Sequence, residues 1–159
     1  MGCLALRQLL IAVTVALAVA FAALAQNSAP PDLSGTWVLN LAKSKVPKHA
    51  TIGSETLVIK CAGDSIEIAS SSGGKQSLEM FVADGKERTK DTGSGGQIYS
   101  KAQWKKSVLF TEIGGRVTTA GIGEYDFLTD KQRWSVSPDS HVLTREFDDP
   151  KQIFVYDKQ

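Results

Sequence analysis

Leu57-Val58-Ile59-Lys60-Cys61-Ala62-Gly63-Asp64-Ser65-Ile66-Glu67-Ile68-Ala69 is the stretch that decides the fold. Leu57, Ile59 and Cys61 alternate with Val58 and Lys60, and Ile66 and Ile68 alternate with Ser65, Glu67 and Ala69. A period of two places one set of side chains on a core and the other in water. Cys61-Ala62-Gly63-Asp64 between the two runs reads as a tight turn, so the pair is a hairpin. The pattern then repeats. Ser71-Ser72-Gly73-Gly74 turns the chain, and Leu78, Met80 and Val82 form the next apolar row, predicted to face the same core. Ala83-Asp84-Gly85-Lys86 reads as a two-residue hairpin turn, because Asp-Gly accepts the positive φ that such turns need.

Upstream, Gly35 to Leu39 is a first strand, and Ala42 to Thr51 is a polar connection holding Pro47, with no amphipathic helical period. Downstream, Gly93-Ser94-Gly95-Gly96 is a loop, and strands are expected over Ile98 to Trp104 and Val108 to Ile113. Lys105-Lys106 turns between them, and Gly114-Gly115 is expected to turn again. Val117 to Leu128 reads as one long strand bent at Gly121 and Gly123. Arg133 to Val136, Val142 to Phe147 and Ile153 to Tyr156 complete the run, with turns at Ser137-Pro138-Asp139 and Asp148-Asp149-Pro150. Sequential hairpins of this kind predict an all-β chain: a single antiparallel up-and-down barrel of about eight to ten strands, which disposes of its sheet edges by closing.

The first 25 residues are a separate object. Arg7 is the only charge before Asp32, Leu9 to Leu24 is apolar apart from Thr14, and Ala23-Leu24-Ala25 ends the run with small residues at the cleavage positions. Charge, length and exit chemistry are those of a secretory signal peptide over residues 1–25. An extended leader follows over residues 26–33, then the barrel domain over residues 34–159. The expected location is periplasmic or extracellular, with no stable membrane anchor after cleavage. Cys3 leaves with the signal peptide, so Cys61 has no partner and reads as a buried thiol. Eighteen Lys and Arg balance 17 Asp and Glu, and the charges are scattered. No basic field is available to gather nucleic acid.

Gly35-Thr36-Trp37 resembles the Gly-x-Trp that opens the first strand of the calycins, the lipocalins and intracellular fatty-acid-binding proteins. Phe154-Val155-Tyr156-Asp157-Lys158 is similar to the last strand of the fatty-acid-binding group. With Ala42-Lys43-Ser44-Lys45, both ends resemble a set of small exported bacterial lipocalin-like proteins. The resemblance implies a barrel whose base is plugged by Trp37, with Gly35 allowing the sharp bend there. It implies too a basic side chain across the indole, for which Lys158 and Arg145 are candidates. Two departures stand out. Ala42 to Thr51 is too short for the helical lid of fatty-acid-binding proteins. Their inward arginine two residues before the tyrosine is Phe154 here, so half of their carboxylate anchor is absent.

No catalytic or metal constellation emerges. His49 and His141 lie far apart, and neither they nor Cys61 has a partner at metal-ligand spacing. Asp148-Asp149, Glu124 with Asp126, and Asp130 are acids whose meeting at a rim depends on the fold. No cofactor motif is present. Three readings stay open. The first is a non-catalytic barrel for a small apolar or amphipathic ligand, with Met80, Trp104, Phe110, Arg133, Arg145 and Tyr156 as its candidate binding residues. The second is a solid-core interaction domain presenting Trp104, Trp134 and Tyr125. The third is a small hydrolase or isomerase with an inward acidic pair or histidine.

Overall fold

A computed structural model describes residues 29–47, 52–93, 96–119 and 123–159. The segment expected to be a signal peptide, the start of the leader, His49, the Ser94-Gly95 part of the loop and Gly121 lie outside the described residues. Among the described residues there are ten strands: β1 Gly35–Leu39, β2 Glu55–Ala62, β3 Ser65–Ser72, β4 Lys75–Val82 and β5 Arg88–Asp91 in the first half of the chain. The second half supplies β6 Gly96–Lys105, β7 Val108–Thr119, β8 Gly123–Val136, β9 Val142–Phe147 and β10 Gln152–Lys158. All pairs are antiparallel in one sheet of order β4-β3-β2-β1-β10-β9-β8-β7-β6-β5. The expected all-β, up-and-down barrel is the observed fold.

Pairing of the first strand with the last curls the sheet, opposing Trp37 to Lys158 and Leu39 to Tyr156. The two sheet ends, β4 and β5, are not paired with each other. The sheet closes instead where Gly85 N donates to Ala102 O at 2.8 Å and Asp84 bridges Gln103. Asp84-Gly85 is therefore a link across the closing seam, not a hairpin turn. Gly85 does take the positive φ that the dipeptide favours, at 77°.

Strand β5, four exposed residues with no apolar alternation, carries no signal of its own. Gly114 and Gly115 lie inside β7, where the register shifts beside Arg116, so the predicted turn is a bulge. Val117 to Leu128 divides between β7 and β8.

One end of the barrel is closed by an apolar layer. Leu33, Trp37, Leu57, Ile59, Ile66, Ile68, Phe81, Leu109, Trp134 and Leu143 are buried there. Leu33, in the leader by its sequence, is fully buried, and its carbonyl accepts from Trp37 Nε1 at 2.9 Å. Lys158 Nζ sits 5.0 Å from the Trp37 ring centroid, so Lys158 and not Arg145 is the cation on this indole. Gly35 makes this possible. Its φ is +141°, and a Cβ would lie 2.8 Å from Lys158 Cε. Cys61, expected to be buried, is half-buried at the edge of this layer, because its strand ends there.

Strand β4 corrects the sequence reading. Ile66 and Ile68 pair with Phe81 and Glu79, so those two share the inward row. Leu78, Met80 and Val82 take the outer face, with Leu78 60% and Met80 69% exposed. A one-residue difference in register exchanges the two faces.

Two outcomes follow from this arrangement. Gly35→Ala lowers the unfolding free energy by about 1–3 kcal/mol through backbone strain, measured by denaturant titration. Phe81→Ala costs about 3–5 kcal/mol, whereas Met80→Lys stays within about 0.5 kcal/mol as an outer-face change. Equal losses at the two positions would contradict the register.

Candidate ligand-binding site

The inward rows change character along the barrel. On β2 they run Cys61, Ile59, Leu57, Glu55 from base to mouth; on β3, Ile66, Ile68, Ser70, Ser72; on β4, Phe81, Glu79, Ser77, Lys75. Across the barrel, β8 presents Trp134, Gln132 and Asp130, β9 Leu143, Arg145 and Phe147, and β10 Tyr156 and Phe154. A polar waist therefore lies above the apolar base.

A chain of contacts crosses this waist. Tyr156 Oη donates to Glu55 Oε2 at 2.7 Å, and Arg145 Nη1 lies 3.7 Å from Glu55 Oε1. Arg145 Nε donates to Gln132 Oε1 at 2.9 Å, and Gln132 Nε2 to Asp130 Oδ2 at 2.8 Å. The Arg145 side chain is only 14% exposed. Its guanidinium carbon stands 4.8 Å from the Trp134 ring centroid and 4.6 Å from that of Phe147. Aromatic rings on a guanidinium hold its planar face while leaving edge donors for polar partners.

Glu79 faces the same space and makes no hydrogen bond or ion pair with the described residues. Burial raises its carboxyl above the ordinary range. Arg145 opposes that shift, while Asp130 and Glu55 add to it. Burial likewise pushes the Tyr156 phenol up, so it stays a neutral donor. Towards the mouth the described residues leave an inward side chain in contact with solvent. Ile98 stands on the inward row of β6 with Ala102 and Trp104, yet is 50% exposed.

The sequence-predicted residues separate cleanly. Arg145 and Tyr156 meet at the waist, and Trp104 packs against the base core. Met80 and Phe110 stand on the outer face, Phe110 beneath Lys105 Nζ at 4.8 Å from its ring centroid. Arg133 also points outward, pairing with Glu146 at 3.0 Å and Asp148 at 2.9 Å. Of the acids whose meeting at a rim depended on the fold, Asp126 pairs with Arg116 on the outside, while Asp130 turns in.

Trp134 is buried and Trp104 half-buried, so the patch drawn with Tyr125 does not form. The exposed apolar row is instead Val58, Leu78 and Met80. Among the described residues no three His, Cys, Asp or Glu side chains converge as metal ligands.

Glu55, Glu79 and Gln132 went unmarked in the sequence reading. Turn arithmetic holds the missing signal. Two-residue turns at Gly63-Asp64 and Gly73-Gly74 lock the pairings of β2, β3 and β4, placing Glu79 beside Ile68.

Among solved structures, the "REP1-NXSQ fatty acid transporter" matches 80% of this chain and 96% of its own, with 20% identity and TM-score 0.55. Human cRBP IV matches over 82% and 100%, with 18% identity and TM-score 0.57. The Echinococcus granulosus fatty-acid-binding protein 1 matches over 79% and 96%, with 16% identity and TM-score 0.51. The fold is that of the fatty-acid-binding proteins. At these identities the likeness is one of fold. No protein-family profile and no curated protein sequence matches the chain.

Glu79 generates a pH prediction. Its folded carboxyl titrates above its unfolded one, so its contribution to stability is complete at low pH. That contribution is lost as pH rises through the folded value. Glu79→Gln removes the desolvated charge and therefore raises stability at neutral pH. It also flattens the decline above the carboxylate range. Thermal melts between about pH 4 and about pH 8 read both, and a variant less stable than wild type at neutral pH would contradict the assignment.

Proposed function

We propose that this protein is an exported, non-catalytic barrel that binds a small apolar or amphipathic molecule in its interior. The carrying observation is the layered inner face: an apolar base, a polar waist at Arg145 and Tyr156, and, among the described residues, an inward Ile98 that is half-exposed towards the mouth. A polar end seated at the waist leaves an apolar tail along Phe147, Phe154, Ile113 and Ile98. Few convergent polar groups within apolar walls is the composition of a small-molecule pocket. The fatty-acid transporter and fatty-acid-binding neighbours support the reading through their shared fold. Export rests on the composition of residues 1–25.

A ligand that binds only the folded state stabilises it by about 2.7 kcal/mol at a hundredfold excess over Kd. Screening dodecyl- and tetradecyl-chain amphiphiles by thermal shift is expected to raise Tm by several degrees for at least one head group. A flat response across chain lengths and head groups contradicts the pocket. For export, intact-mass analysis of the envelope fraction is expected to find a chain beginning at Gln26. A cytoplasmic chain beginning at Met1 contradicts it.

A further inference from the structure

The charge carried by the waist selects among amphiphiles. Six inward side chains define it: Glu55, Glu79, Asp130, Gln132, Arg145 and Tyr156. Arg145 is the one cation among these six, and it is already engaged. Glu55 lies beside it, Gln132 accepts from Nε, and Trp134 and Phe147 stand within 4.8 Å of its guanidinium carbon. Phe154, paired with Arg145 on the neighbouring strand, holds a position that could have supplied a second cation and does not. It packs edge-on to Phe147 at 5.5 Å instead. Asp130 accepts from Gln132 and Glu55 from Tyr156. Glu79 is left with no hydrogen bond or ion pair among the described residues, and it stands on the inward row of β4, partly exposed. Lys75 shares its row, but two inward positions away at the exposed rim.

We infer that the barrel takes an amphiphile with a primary-amine head group, seated against Glu79, in preference to a fatty carboxylate. The inference rests on the ligand-binding reading and adds the head group to it. A carboxylate entering the waist would meet three carboxyl side chains and an arginine already paired. Like charges at that spacing in a half-buried site repel, and the ligand would lose its hydration without gaining a partner. An ammonium brings the donors that Glu79 lacks, and a charge-assisted hydrogen bond forms where none existed. The apolar tail is common to both ligands and does not discriminate.

The test uses three probes of one chain length, dodecylamine, dodecanoate and dodecanol, below their micelle concentrations, with affinity read by isothermal titration at neutral pH. Dodecylamine is expected to bind about tenfold more tightly than dodecanoate, the factor that one charge-assisted contact supplies. In Glu79→Gln that preference is expected to fall about tenfold, with the thermal melt reporting that the variant is folded.

Dodecanoate binding as tightly as dodecylamine, or tighter, overturns the inference. So does a preference that Glu79→Gln leaves intact. If dodecanol binds and dodecylamine does no better, the pocket stands and the head-group assignment falls. If none of the three binds, both fall together.

Discussion

Pairing of the first strand with the last is the constraint on which the rest depends. The meander β1 to β4 and the meander β5 to β10 are each built from neighbours in sequence. Each alone is an open sheet with an apolar face. With the Asp84–Gln103 bridge closing the opposite seam, the β1–β10 ladder, Trp37 opposite Lys158 and Leu39 opposite Tyr156, joins them into one curled surface with an inside. It joins chain ends separated by nearly the whole domain, so its closure entropy is the largest that the fold must offset. The offset is concentrated at the joint. Trp37 is fully buried, donates to Leu33, and lies under the ammonium of Lys158. Asn40 and Lys43 both donate to Asp157 across the same junction, at 2.6 and 2.7 Å.

Once closed, the barrel divides its interior by height. The base is packed with large apolar side chains and provides the hydrophobic stabilisation. The waist holds titratable groups that a packed core would exclude, and most persist because they are partnered. Among the described residues, no buried side-chain polar atom lacks a hydrogen bond. Glu79 is tolerated because it is only partly buried. A protein selected only for stability would place an apolar residue there.

Much of the architecture was legible in the residues. Alternation over Leu57 to Ile68, repeated along the chain, was sufficient for an up-and-down barrel. Local turn chemistry was less dependable. Asp84-Gly85 has hairpin composition but spans the seam between β4 and β6, because hairpin formation also needs a following strand in register with the first. Gly114 and Gly115 sit inside a strand, where a bulge uses the freedom that a turn would have used. The site was half legible. Arg145 and Tyr156 were marked and do face inward. Arg133 was marked with them, yet it stands one residue from inward Gln132 on β8, and that single step in parity sends it outside. Met80 failed for the same reason: β4 carries apolar residues on both faces, so hydropathy alone could not choose between them.

Composition and local pattern determined that this chain is a run of antiparallel strands with a tryptophan in the first, preceded by a segment of export-type composition. Those properties follow from side-chain alternation and turn chemistry, which act over a few residues. Which face of each strand points inward was decided only by the tertiary structure. So was the meeting of Glu55, Glu79, Arg145 and Tyr156, which come from four strands spread along the chain. Their proximity depends on the register of every intervening ladder and on the closure at Trp37, and no short-range signal carries that information.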